Sequence, residues 1–225
     1  MLNKITFTGI DNETKVEELI NLKKNYPFAE FGLLISESNT NKDIVNRYPS
    51  LNILERLDGA GLDLSLHICG KWARDIIKNN EWNLVYKLIG PYIALFNRIQ
   101  LNIAGVIKFS DEILFPVDKQ ILIQFTTDKT HIYEKYKNPP KICGFQDASG
   151  GRGIPGTDWV STMDLYFGYA GGINEDNVLD VIEAIDKVNK NDFWIDMESS
   201  IRKNDNFDIS KCRNICAKCE KNIKS

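Results

Sequence analysis

The chain has 225 residues, 43% of them hydrophobic, with 28 Lys and Arg against 31 Asp and Glu and a formal net charge of −3. This length suits one sizeable core, and neither the charge balance nor any basic run fits a nucleic-acid or anionic-membrane surface. The first residues run straight into a strand-like segment without a long apolar core, so no signal peptide is expected. A cytoplasmic protein with five reduced cysteines is the reading.

Short β-like runs alternate with helical patterns along the whole chain, which predicts a parallel sheet with helical crossovers. The first strand is read at Lys4–Thr8. It is followed by a helix over Glu13–Asn25, with Val16, Leu19, Ile20 and Leu22 on one side, acidic residues early and lysines late. Further strands are read at Ala29–Ile35, Leu62–Cys69, Arg98–Ile103 and Gln120–Phe125. The apolar stretch from Leu88 to Phe96 is too short to span a bilayer and contains Gly90 and Pro91. Ser110–Lys119 and Thr126–Pro140 make poor helices. Strands at Lys141–Asp147, Leu165–Ala170 and Phe193–Met197 complete the set, and Asn174 is placed to cap a helix over Glu175–Lys190. Eight strands in this length predict one domain over residues 1–225, an α/β fold of the closed (β/α)8 type.

Strand alternation then sorts the side chains. Apolar Leu64, Leu66 and Ile68 suit the helix layer, which turns Ser65, His67 and Cys69 inward. The same rule puts Thr6, Thr8, Gln100, Asn102, Gln124, Asp147 and Asp196 inside. Polar groups in a barrel interior need partners, and near the C-terminal strand ends the partner is commonly a ligand. Asp147 and Asp196 each end a strand before a flexible loop. Asp147 is the candidate acid or base and Asp196 is assigned to a sugar hydroxyl. His67 and Cys69 stand two apart on one inward face; Cys69 is a candidate base beside His67, but a packed thiol and a hydrogen-bonded imidazole are the preferred reading.

Gly171-Gly172 ahead of Asn174 suits a phosphate at a helix start, and Ser199-Ser200 after the eighth strand lies where barrels commonly hold phosphate. Arg152, in the run Gly150-Gly151-Arg152-Gly153, is a candidate cover for an anionic substrate. Asn102 and Gln124 are further candidate binding groups. No cofactor or metal is expected. Cys212, Cys216 and Cys219 have the Cys-x3-Cys-x2-Cys spacing of radical S-adenosylmethionine enzymes. In a C-terminal helical pattern, however, they share one face with Ile209 and Ile215 and are read as packing.

The run Ala170-Gly171-Gly172-Ile173-Asn174-Glu175-Asp176-Asn177-Val178 is similar to Ser/Ala-Gly-Gly-Leu-x-Pro-Glu-Asn-Val of the phosphoribosylanthranilate isomerase family, and Asp196-Met197-Glu198-Ser199-Ser200 is similar to its Asp-Val-Ser-Ser-Gly. In the same order, Thr8-Gly9-Ile10-Asp11-Asn12 resembles its Lys-Ile-Cys-Gly-Ile-Thr start, Ile99-Gln100-Leu101-Asn102 its Val-Gln-Leu-His strand, and Asp147 with Asp158-Trp159 its Leu-Asp-Ser…Asp-Trp segment. The resemblance implies a (β/α)8 barrel that performs an Amadori rearrangement of a phosphoribosyl amine. In that reaction an aspartate, matched by Asp147, protonates the ring oxygen, and a cysteine takes the C2 proton. Here the cysteine position is Thr8, the histidine position is Asn102, and Ser36-Glu37-Ser38-Asn39 stands where a basic residue usually follows the second strand. The phosphate half of the pattern is kept and the catalytic half is altered. An isomerase or lyase on a phosphoribosyl-type substrate is the leading expectation. A non-catalytic binder of a phosphorylated sugar or nucleotide and the family's own reaction are the alternatives. The expected partner is a small phosphorylated ligand, with the chain a monomer or homodimer.

Overall fold

The computed structural model describes residues 1–42, 45–103, 119–125, 142–149, 153, 156, 158–161 and 166–224. Arg152 and the segments Ser110–Asp118 and Thr126–Pro140 lie outside the described residues. Eight parallel strands close into a barrel in chain order. They are β1 (Leu2–Thr8), β2 (Ala29–Ser36), β3 (Leu64–Cys69), β4 (Phe96–Asn102), β5 (Gln120–Phe125), β6 (Ile142–Asp147), β7 (Phe167–Ala170) and β8 (Phe193–Met197). The described helices between and after them are α1 (Val16–Asn25), α2 (Ile53–Leu57), α3 (Lys71–Asn79), α4 (Asn83–Ile89), α5 (Val178–Val188) and α6 (Ile209–Cys219). None is long and apolar enough to cross a membrane.

Each helix buries one stripe on the barrel: Val16, Leu19 and Leu22 on α1, and Val178, Val181, Ile182 and Ile185 on α5. On α6, Cys212, Ile215, Cys216 and Cys219 are all buried, so the three cysteines pack as the helical spacing predicts. Two helix starts differ from expectation for local reasons. The Thr14 hydroxyl accepts from the Asp11 amide and donates to its carboxylate, and this turn holds residues 11–14 out of the helix until Val16. Asn174 does cap, but it caps a turn: its Oδ1 accepts from the amides of Asp176 and Asn177, and the helix begins only at Val178.

The barrel interior divides in two. From β5 to β8 the inward residues Leu122, Cys143, Phe145, Ala170 and Trp194 form a small apolar cluster. Trp194 takes up the space beside Gly168, where a Cβ would fall 2.2 Å from the indole. From β1 to β4 the lower interior is ionic. Arg98 Nε donates to Glu30 Oε2 at 3.0 Å, Arg98 Nη2 donates to both Glu30 Oε1 and Thr6, and Thr6 donates to Glu30 at 2.9 Å. The Arg98 guanidinium also lies 4.6 Å from the Trp194 ring centroid, a cation–π contact that joins the two halves. Burial pushes Glu30 up, but Arg98, Lys4 and the hydrogen bonds outweigh it and hold the carboxyl below its ordinary range.

Candidate functional site

The C-terminal mouth of the barrel holds a cleft of about 310 Å³, bordered by residues from β2 to β8 and their loops. Register explains which side chains reach it. Asp147 and Asp196 both sit level with Ala170, one on each flanking strand, and Gln100 pairs with His67 as Asn102 does with Cys69. Of the inward positions read from alternation, His67, Cys69, Gln100, Asn102, Gln124, Asp147 and Asp196 border this one space.

The floor is a hydrogen-bonded chain. Thr8 Oγ1 donates to Asp196 Oδ1 at 2.6 Å. Gln100 Nε2 lies 3.3 Å from Asp196 Oδ2, 3.1 Å from His67 Nδ1 and 3.1 Å from Asn102 Oδ1. An amide has two hydrogens for these three acceptors, so the longest contact, to Asp196, is the weakest. Burial pushes the Asp196 carboxyl up to about 6. The charge of Asp147 adds to the rise, while Thr8, Gln100 and Arg98 only partly oppose it. Asp147 has a fuller set of partners: Oδ1 accepts from the Ser149 amide and hydroxyl at 3.0 and 2.7 Å, and Oδ2 from Gln124 at 3.1 Å.

His67 and Cys69 both border the cleft but do not act on each other through their side chains. Burial lowers His67 to about 4, so the ring is neutral, and its Nδ1 faces Gln100. Cys69 lies 3.9 Å from the His67 carbonyl, accepts from Asn102 at 3.3 Å and is hydrogen-bonded to the Tyr48 side chain. Burial pushes its thiol up to about 11, and the neutral His67 ring offers no charge to pull it back down. Thr8 is buried beneath Asp196, and its hydroxyl is spent on that carboxylate.

Gly171, Gly172, Ser199 and Ser200 line the same cleft. The first glycine is required by packing. Gly171 has φ +111°, and a Cβ there would fall 2.7 Å from the Ser149 amide nitrogen, so only glycine lets the β7 loop close on the Asp147 loop. The amides of Asn174, Asp176 and Asn177 are occupied by Asn side chains. Any anion here therefore meets the Gly171–Ile173 backbone and the serine loop, and the start of α5 lies a turn further on. The Ser200 hydroxyl is buried without a hydrogen-bond partner among the described residues.

Glu198 and Arg47 are among the cleft residues to which the sequence reading gave no role. Glu198 was visible inside the Asp-Met-Glu-Ser-Ser run but had no role there. Arg47 lies in a segment with no readable motif, and its Nη1 donates to Glu198 Oε1 at 2.5 Å across the rim. Among the described residues, no three His, Cys, Asp or Glu side chains gather as a metal site.

No protein-family model matches the chain, and no curated protein matches its sequence. Solved structures do match in shape. Monomers generated from the dimeric phosphoribosylanthranilate isomerase of Thermotoga maritima superpose with a TM-score of 0.60 at 16% identity, covering 98% of this chain and 100% of that one. A phosphoribosylanthranilate isomerase in complex with reduced 1-(o-carboxyphenylamino)-1-deoxyribulose 5-phosphate gives a TM-score of 0.59 at 14% identity, covering 97% and 99%. The phospho-2-dehydro-3-deoxyheptonate aldolase of Thermotoga maritima gives 0.57 at 13% identity, covering 98% of this chain and 69% of that one. The chain shares their (β/α)8 barrel fold.

Proposed function

We propose that this barrel binds a phosphorylated sugar at its C-terminal mouth and catalyses an acid–base isomerisation or cleavage of a phosphoribosyl-type substrate through Asp147 and Asp196. The observation that carries the reading is two carboxylates with unlike partners facing one cleft, which also exposes the paired glycines and twin serines. Moving a proton from a sugar carbon to the ring oxygen needs one group that gives a proton and one that takes it. Asp196, titrating near 6, changes state close to neutral pH, where such transfer is most efficient. Asp147 supplies the second carboxylate, and the Gly171–Ile173 and Ser199–Ser200 loops hold the phosphate. The solved isomerase complex, whose ligand is a ribulose phosphate derivative, supports the ligand class.

The test pairs calorimetric titration of ribose 5-phosphate with product detection on N-substituted phosphoribosylamines. Asp147→Asn abolishes turnover while affinity stays within about tenfold. An unchanged turnover rate in that variant refutes the acid–base role, and absence of any binding refutes the ligand class. Binding without turnover in the wild type establishes the second reading, a non-catalytic binder. That reading draws support from the lack of a low-pKa thiol, since Thr8 replaces the family's cysteine and Cys69 stays protonated.

A further inference from the structure

Glu198 stands one residue before the twin serines and borders the same cleft, so it sets a like charge beside any phosphate held there. Arg47 offsets that charge, and the pair is built into the fold. The Asn46 side chain donates to Asn206 at 2.5 Å, and the Ser50 amide donates to Asn12 at 3.0 Å, which ties Arg47's segment across the rim. Beneath the pair, Gly9 has φ +103°, and a Cβ on it would lie 3.8 Å from both Arg47 Cβ and Glu198 Cγ. Loops following β1, β2 and β8 thus meet at this ion pair. Two buried polar atoms of cleft-lining residues have no hydrogen-bond partners among the described residues: Arg47 Nε, on the guanidinium that holds Glu198, and the Ser200 hydroxyl, two residues after Glu198. A buried donor without an acceptor is costly, and an anion entering the cleft brings the acceptors that these donors lack.

Building on the phosphate reading above, we propose that Arg47 is an anion-binding residue of the cleft and that Glu198 is its internal competitor, displaced from the guanidinium when a phosphate enters. The arrangement favours a dianionic phosphomonoester. Such a group outweighs a single carboxylate for the guanidinium, whereas a monoanion exchanges one like partner for another and gains little. Glu198 accordingly lowers affinity and raises selectivity. This is the opposite of what a carboxylate that merely positions Arg47 does.

The experiment is titration of ribose 5-phosphate into the wild type, Glu198→Gln and Arg47→Gln. Glu198→Gln binds about tenfold more tightly and Arg47→Gln about tenfold more weakly, both differences shrinking at high salt. Equal or weaker binding by Glu198→Gln, with the wild type binding, overturns the competitor role and leaves the phosphate reading standing. Undiminished binding by Arg47→Gln overturns the role of the guanidinium. Binding by none of the three overturns the phosphate reading itself and this inference with it.

Discussion

Replacing Asp196 by asparagine tests the electrostatics of the floor without adding or removing volume. The ordinary value for this carboxyl is 3.8, and burial moves it to about 6. Between those values the native protein holds a proton that the unfolded chain has released, so stability is greatest on the acid side, falls as pH rises through this window, and levels off above it. A shift of about two units at about 1.4 kcal/mol each amounts to about 3 kcal/mol above pH 7. Asparagine carries no charge to bury. Its carbonyl keeps the Thr8 hydrogen bond, but its NH2 faces the Gln100 amide and returns part of the gain. Asp196→Asn is therefore more stable than the wild type by about 1–3 kcal/mol at pH 8, the difference vanishing toward pH 4. For a chain of this size each kcal/mol moves Tm by roughly 2–4 °C, so calorimetry from pH 4.5 to 8.5 reads the effect directly. An offset that is constant with pH, or that grows on the acid side, refutes the reasoning. Loss of turnover alongside the gain in stability marks the residue as functional.

Three further predictions concern the interior. Gly168→Ala drives a methyl into the Trp194 indole and destabilises by about 1–3 kcal/mol, seen as a lowered Tm and relieved when Trp194→Phe is added. Glu30→Gln leaves the buried Arg98 charge without its counter-charge and costs about 3–5 kcal/mol in denaturant unfolding, much of it regained when Arg98→Met is combined with it. The His67 ring stays neutral through pH 5 and titrates near 4 in nitrogen NMR; a titration near 6.5 contradicts its burial beside Gln100.

The barrel was legible because its signals are periodic. The run Leu64–Cys69 alternates apolar with polar residues, and the observed strands match the predicted ones to within a few residues. The same alternation placed Thr8, His67, Gln100, Asp147 and Asp196 around one space. What alternation does not carry is strength of interaction. It does not show that Gln100 has too few hydrogens for its neighbours, so the contrast between Asp196 and Asp147 emerged only with the partners in place. Arg47 was illegible because it reaches Glu198 from 151 residues away in sequence, through a loop whose path no periodicity sets. Glu30 and Arg98 were legible in principle, since both fall on inward positions of buried strands, where opposite charges must find each other.

The ionic layer beneath the cleft has a consequence for how this protein can vary. Arg98 pulls the proton affinity of Asp196 down, and Arg98 is itself held in place by its ion pair with Glu30. A substitution at the base of the barrel, sealed from solvent and remote from any ligand, thus acts like a set screw on the acidity of the group above it. Lineages of such a barrel can retune their working pH while every residue that meets the substrate stays the same.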